Sequence, residues 1–240
     1  IIQRMENKNV YIDLGKAEAI LTPNEQIPGE IYQYHDRMKT YIVEVKKTSK
    51  GPQIMVSRTH PGLLKRLFEL EVPEIHDGLV EIKSVAREPG MRSKISVYTK
   101  DENIDPVGAC VGHKGMRVQT IVNELRGEKI DIVKYSSEPD QYVANALSPA
   151  KVVSTEVLEE EKICRVIVPD YQLSLAIGKE GQNARLAAKL TGWKIDIKSH
   201  SQAEADMELE MGSVDGVPGS ESGNDMFNDC LLYTSPSPRD

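Results

Sequence analysis

The stretch Val107-Gly-Ala-Cys-Val-Gly112-His-Lys-Gly115 returns later in the chain as Leu173-Ser-Leu-Ala-Ile-Gly178-Lys-Glu-Gly181. Each copy runs on into an apolar-patterned segment, Met116 to Leu125 or Gln182 to Leu190. Each then closes on Gly127-Glu-Lys-Ile-Asp-Ile132 or Gly192-Trp-Lys-Ile-Asp-Ile197. Gly112 and Gly178 lie 66 residues apart, and the Ile-Asp-Ile triplets begun by Ile130 and Ile195 lie 65 apart. The copies therefore differ by one residue, lost inside the run after the glycines. A repeat of this period signals duplicated structural units.

The unit has a physical reading. Ile121 and Leu125 are four apart, as are Leu186 and Leu190, so each pair shares one helix face. An apolar run of helical spacing, a Gly-x-x-Gly turn and a second helix in immediate succession need glycine, which tolerates φ > 0 and close backbone approach. The amides that open the second helix carry the positive end of its dipole, which suits a phosphate. Lys114 stands in one turn and Lys179 in the other, and the Ile-x-Ile segment alternates like a half-buried strand. Helix, glycine turn, helix, strand is the core of a KH domain, whose glycine turn clamps about four nucleotides of a single strand. Other phosphate motifs fit poorly. A Walker pattern requires glycine where Leu173 stands, and no dinucleotide Gly-x-Gly-x-x-Gly occurs.

Composition narrows the class. A chain of 240 residues with 5% aromatics rests its cores on Ile, Val, Leu and Ala, and the repeat favours two to three small domains. No apolar run is long enough to cross a bilayer and no signal peptide is evident, so a cytoplasmic protein without a membrane partner is expected. Cys110, Cys164 and Cys230 lack Cys-x-x-Cys spacing and read as reduced thiols, two of them buried. His35, His60, His76, His113 and His200 are scattered, so no metal and no cofactor is expected. The net charge of −7 is concentrated at the end of the chain. Residues 203–229 hold eight acids and no Lys or Arg, which leaves the first 202 residues near neutral, at +1. That balance is compatible with local basic patches but not with a generally basic nucleic-acid binder.

Up to Arg58 the chain shows strand signals: Asn9 to Leu14, Ala17 to Leu21, Tyr41 to Val45 and Gln53 to Val56. Pro23-Asn24, Pro28-Gly29 and Gly51-Pro52 punctuate them. Short strands at this spacing suggest a small barrel. The region resembles an S1 domain, an OB-fold RNA-binding barrel, through Asn9 to Leu14, Glu44-Val-Lys-Lys47 and Ile54-Met-Val-Ser-Arg58. Its abrupt start at Ile1 reads as a truncated barrel. Barrels of this kind stack bases on surface aromatics and hold the backbone with cations. Tyr11, Lys46, Lys47 and Arg58 are the candidates, with internal packing of Tyr11 and solvated lysines as the competing reading.

From His60 the order is helix, strand, strand, helix, glycine turn, helix, strand, and it is then repeated. The first pass uses a Leu63, Leu64, Leu67, Leu70 stripe ended by Pro73, then strands Leu79 to Val85 and Ile95 to Tyr98 around Pro89-Gly90. The second uses Pro139 to Leu147, Val152 to Leu158 and Ile163 to Val168. Strands ahead of the paired helices mark the type II KH order, each unit being a three-stranded sheet with helices on one face. The expected fold is α+β with a small all-β barrel: a truncated S1 (OB-fold) barrel over 1–59, type II KH domains over 60–137 and 138–201, then an acidic disordered tail over 202–229. Residues 230–240 resemble translated sequencing-adapter DNA. Arg87, Arg92 and Lys94 read as a solvated hairpin rather than a basic edge. Arg117 and Arg185 follow their turns closely enough to reach a phosphate.

A barrel followed by two KH units resembles the NusA-like bacterial transcription factors over residues 1–201. The most specific stretches are Ser57-Arg-Thr-His-Pro-Gly-Leu-Leu64, Asp105 to Gly115 and Leu173 to Arg185. The resemblance implies a non-catalytic RNA-binding elongation factor that modulates pausing, termination and antitermination. Its implied partners are single-stranded RNA, RNA polymerase and other termination and antitermination factors. In that family a polymerase-binding domain precedes the barrel, so this stretch is expected to keep RNA binding and lose much of the polymerase contact. It further implies Gly112, His113, Lys114 and Gly115, and Gly178, Lys179, Glu180 and Gly181, as RNA-binding turns, with Val111 and Ile177 lining grooves for bases. Glu180 departs from the ideal, because an acid in the clamp repels phosphate. Two other classes compete. A phosphorolytic exoribonuclease carries one KH before its S1, the reverse of the order here, and needs a carboxylate cluster for metals. A ribosomal protein with one KH would be strongly basic.

Overall fold

The computed structural model describes residues 1–49 and 51–212. The expectations for 213–229 and for the adapter-like 230–240 lie outside the described residues. Residues Ile1–Ala203 form one compact unit.

The chain opens with a hairpin that sequence patterning misses. Strands β1 (Ile2–Glu6) and β2 (Asn9–Asp13) pair antiparallel across Asn7 and Lys8, both at positive φ, 51° and 65°. Two left-handed residues in a row match the twist of a tight hairpin. Only Ile2 of β1 is buried, so the strand carries no alternation to read. β3 (Glu18–Leu21), β4 (Tyr41–Thr48) and β5 (Gly51–Ser57) complete a five-stranded sheet in the order β1-β2-β3-β5-β4, with β3 and β5 parallel. β1 and β4 are the two ends of that pairing order. Ile2, Val10, Ile12, Ala19, Leu21 and Val56 make its core.

Two further sheets follow, built alike. In the first, helices α1 (Pro61–Glu71) and α2 (Pro73–His76) precede β6 (Val80–Glu88) and β7 (Arg92–Thr99). Then come α3 (Pro106–Val111), α4 (Met116–Glu124) and β8 (Lys129–Lys134). In the second, α5 (Pro139–Ala146) precedes β9 (Ser154–Leu158), β10 (Ile163–Val168), α6 (Leu173–Ile177), α7 (Gln182–Thr191) and β11 (Lys194–Ser199). The middle strand pairs antiparallel with its predecessor and parallel with the strand after the paired helices, as β6-β7-β8 and β9-β10-β11. Pro61, Pro73, Pro106 and Pro139 each sit in a first helical turn, where a missing N–H costs nothing. Pro73 thus ends one helix and starts another.

The helices bury their apolar faces against these sheets. Leu63, Leu64, Leu67 and Phe68 meet Ile95, Val97, Ile121 and Leu125 in the first unit. In the second, Val143, Leu147, Val166, Leu186 and Leu190 share one cluster with Ala86 and Val133 of the first. The two units are therefore packed into each other rather than strung on a linker. Ser84 Oγ and Tyr142 Oη meet at 2.8 Å, and Ser84 also donates to the Leu190 carbonyl at 2.8 Å, so the seam is hydrogen-bonded as well as apolar. The chain continues as α8 (His200–Gly212), helical where the sequence reads as an acidic linker.

Two of the three hairpin cations, Arg87 and Lys94, have buried side chains, while Arg92 is 25% exposed and pairs with Asp131. The Arg87 side chain is 2% exposed and grips Glu128, itself 0% exposed, through Nε and Nη2 at 2.8 and 2.9 Å. Glu128 also accepts from Ser93 Oγ and the Gly90 amide, so its buried charge is matched on every side. Lys94 is buried too. It donates to Asp131 and to the Ser148 carbonyl, while burial pulls its pKa below the usual ammonium value against the opposing pull of Asp131. Position in a hairpin marks a residue as polar-facing only when nothing packs over that face. Here β8 and the second unit do.

Candidate nucleic-acid interface

Both glycine turns adopt the same backbone to within a few degrees. Gly112 lies at φ 73°, ψ 177° and Gly178 at φ 77°, ψ 171°. That region is essentially closed to residues with a Cβ. The third residue is left-handed in both turns, Lys114 at φ 51° and Glu180 at φ 52°, and Gly115 and Gly181 follow at φ 76° and 72°. α4 and α7 start from those second glycines with no side-chain cap, so their opening amides face the turn without a side-chain acceptor. His113, Lys114, Lys179 and Glu180 line the turns, and among the described residues no salt bridge holds Lys114 or Lys179. Val111 is half-buried beside the first turn and Ile177 exposed beside the second. Each turn thus offers a helix start free of a side-chain cap, an ammonium without a carboxylate partner among the described residues and an adjacent apolar side chain. That is the equipment for holding a phosphodiester next to a base.

One position makes the turns rigid. Arg117 stands five residues after Gly112 and Asn183 five after Gly178. A Cβ on Gly112 would come within 2.7 Å of Arg117 Cγ, and one on Gly178 within 2.8 Å of the Asn183 amide nitrogen. Both side chains reach back to the carbonyls that end the preceding helix. Arg117 Nη1 donates to Ala109 O at 2.6 Å and to Glu74 at 2.9 Å; Asn183 Nδ2 donates to Leu147 O and Ala176 O, each at 3.0 Å. Arg117, expected to reach a phosphate, keeps a side chain 31% exposed and also serves as a strut between α3 and α4. Nothing local in the sequence marks Asn183 as its counterpart, although aligning the two copies on their glycines puts it opposite Arg117.

Family models of the NusA-like first KH domain and the NusA-like second KH domain match residues 58–135 and 139–205. The transcription termination/antitermination protein NusA of Halalkalibacterium halodurans is 72% identical over 204 residues, covering 85% of this chain and 53% of that protein. The protein of the same name from Bacillus subtilis is 71% identical over 203 residues, with 85% and 55% covered. That of Thermus thermophilus is 46% identical over 222 residues, with 92% and 57% covered. The chain belongs to the NusA family. It spans about half the length of these curated NusA relatives.

The remaining candidate residues of this NusA-family chain part ways in the structure; only some face solvent. Arg58, expected on the ligand-facing surface, lies inside the fold. It is 0% exposed and donates to both carboxylate oxygens of Glu30, to Glu124 Oε1 and to the carbonyls of Lys39 and Glu124. Desolvation opposes its charge, but Glu30, with Glu124, outweighs that and raises its pKa. Arg58 is therefore the bolt between the β1–β5 sheet and the end of α4, out of reach of any ligand. Tyr11 is half-buried, with the Arg4 guanidinium 4.2 Å above its ring centroid. Lys46 pairs with Glu44 at 2.9 Å on the exposed strand β4, and Lys47 is exposed beside it. Arg185 is half-exposed; it donates to the Glu180 carbonyl at 3.2 Å and to Glu88 of β6 at 2.6 Å. Cys110 and Cys164 are both buried, and burial pushes the Cys110 thiol up to about 12. Among the described residues no group of three or more His, Cys, Asp or Glu could hold a metal ion, and no helix is long and apolar enough to cross a membrane.

Proposed function

We propose that this chain is the RNA-binding portion of a non-catalytic cytoplasmic transcription elongation factor. It holds nascent single-stranded RNA, and through it modulates pausing, termination and antitermination by RNA polymerase in company with other termination and antitermination factors. The observation that carries the reading is the pair of superposable glycine turns, each with uncapped helix amides and a lysine unpaired among the described residues. The names of the relatives support the process in which it works.

On this reading the chain divides into an S1-type barrel over 1–59 and KH units over 60–137 and 138–201. The strand order β1-β2-β3-β5-β4 with its parallel β3–β5 pair supports the barrel assignment. Gly112 to Gly115 and Gly178 to Gly181 hold phosphates, Val111 and Ile177 contact bases, and Tyr11, Lys46 and Lys47 extend the track along the sheet. Because the two KH units share one apolar cluster, the turns keep a fixed separation. RNA that fits both gains from a preformed spacing rather than ordering two loose modules.

The test is RNA binding by the whole chain, titrated across salt, beside a variant with His113→Asp and Lys114→Asp and a second with Lys179→Asp added. Loss of binding in a folded variant is the expected result. The salt slope, about 0.7 per phosphate neutralised, then counts the contacts. Equal binding by all three would place RNA elsewhere and reject the clamp reading. Incubation with RNA, magnesium and phosphate should leave the RNA intact; its degradation would overturn the non-catalytic assignment.

A further inference from the structure

The two turns share a backbone but not an electrostatic setting. The first carries His113 and Lys114, and Gln119 stands where the second copy has Arg185. The second carries Lys179 and Glu180, whose charges cancel, so Arg185 is the cation left to attract a phosphate there. That guanidinium is tied to the clamp itself, since its Nη1 donates to the carbonyl of Glu180, the left-handed residue of the turn. Its other side is occupied. Glu88, at the end of β6 in the first KH unit, accepts from Arg185 Nε at 2.6 Å and from Gln182 Nε2 at 2.8 Å. Gln182 is the opening residue of α7, so one carboxylate from the first unit sits at the start of the second unit's phosphate-facing helix.

We infer that Glu88 is a built-in competitor for phosphate at the second turn, making the two clamps unequal. The inference rests on the RNA-clamp reading above. RNA seats on the first turn, where no carboxylate opposes Lys114 among the described residues. The second turn engages when a phosphodiester displaces Glu88 from Arg185. The geometry suits exchange rather than a permanent lock, because the side chains of Arg185 and Glu88 are 48% and 16% exposed. Ion pairs open to solvent are weak enough to be replaced. The acid in the turn and the acid from the neighbouring unit act in the same direction. Arg185 in turn holds the Glu88 carboxyl below the usual glutamate range, so the competitor is charged throughout the neutral range. The seam itself does not depend on this contact, since Ser84, Tyr142 and Lys94 tie the units elsewhere.

The experiment uses the full chain and a fluorescein-labelled single-stranded RNA of about twelve nucleotides, long enough for two clamps of about four nucleotides and the span between them. Glu88→Gln keeps the side-chain shape and a hydrogen-bonding partner for Gln182. It should tighten binding about fivefold and steepen the salt slope by about 0.7, one added phosphate contact. Arg185→Gln alone should weaken binding and flatten the salt slope, because the cation that a phosphodiester draws away from Glu88 is gone. Glu88→Gln with Arg185→Gln should match Arg185→Gln alone in affinity and slope, because the cation for which Glu88 competes is absent from both. Thermal unfolding of each variant checks that the seam is intact, and Glu88→Ser serves as a second removal of the charge with the same expected sign. An unchanged affinity in both Glu88 variants overturns the inference. So does a gain that survives the loss of Arg185, or an unchanged affinity in Arg185→Gln alone. The variant with His113→Asp and Lys114→Asp separates the two readings: if it binds as well as wild type, the clamp reading itself has failed, whereas its loss of binding with no effect of Glu88 leaves the clamps standing and equal.

Discussion

Replacing Arg58 by Met removes a guanidinium while keeping most of its volume. The wild-type side chain is 0% exposed and donates to Glu30, to Glu124 Oε1 and to two carbonyls. Without it, the Glu30 carboxylate, 2% exposed, keeps the Tyr32 hydroxyl at 2.7 Å and the Arg126 guanidinium at 3.5 Å. That is partial compensation for a charge that had two close donors. Breaking a buried pair by removing one partner costs about 3–5 kcal/mol, and Arg126 places this case at the lower end, about 3 kcal/mol. For a chain of this size that corresponds to a fall of about 6–12 °C in the unfolding midpoint. Lysine supplies one ammonium for acceptors spread around a planar fork, so Arg58→Lys should recover only part of the loss. The assay is thermal unfolding followed by circular dichroism, with RNA affinity measured well below the transition. Affinity within about twofold of wild type is expected, because the side chain touches no ligand surface. A variant that keeps its midpoint but loses RNA binding would refute the reasoning and return Arg58 to the ligand surface.

Alanine at Gly178 should cost more than alanine at Gly112. Its Cβ meets the Asn183 backbone nitrogen at 2.8 Å, whereas at Gly112 it meets the movable Arg117 side chain at 2.7 Å. About 2–4 kcal/mol against about 1–3 kcal/mol is expected from urea unfolding, and equal costs would count against the strut arrangement. Asn183→Asp turns a carboxylate toward the Leu147 and Ala176 carbonyls that the amide now serves, and should lose about 2–4 kcal/mol in the same measurement. Glu180→Lys keeps the left-handed position and makes the second turn resemble the first. RNA affinity should rise about threefold to tenfold, with a steeper salt dependence. Cys110, buried with its thiol pushed up to about 12, should resist alkylation at about pH 8 until the chain is unfolded, which mass spectrometry of the labelled peptide would show.

The duplicated core was legible because its signals are local. Glycines at φ near 75°, leucines four apart and alternating Ile-x-Ile segments each report on a few neighbouring residues, and two copies in register make coincidence implausible. The order of elements and the antiparallel-then-parallel pairing of each three-stranded sheet follow from that pattern. β1 was not legible, since a strand with one buried residue, Ile2, shows no period. The candidate residues divide by the same rule. Lys114, Lys179 and the glycines belong to turns whose backbone is set by their own neighbours, so a local motif exposes them. Arg58, Arg87 and Lys94 look like surface cations in one dimension, yet each is buried against a carboxylate far along the chain: Glu30 and Glu124, Glu128, and Asp131. Arg185 belongs to both groups, near its turn in sequence but committed to Glu88, which lies 97 residues away. A chain of letters records which charges exist and how the backbone must bend at glycine. Which charge faces which is decided when sheets and helices close over one another, because burial makes an unpaired ion too costly to leave alone.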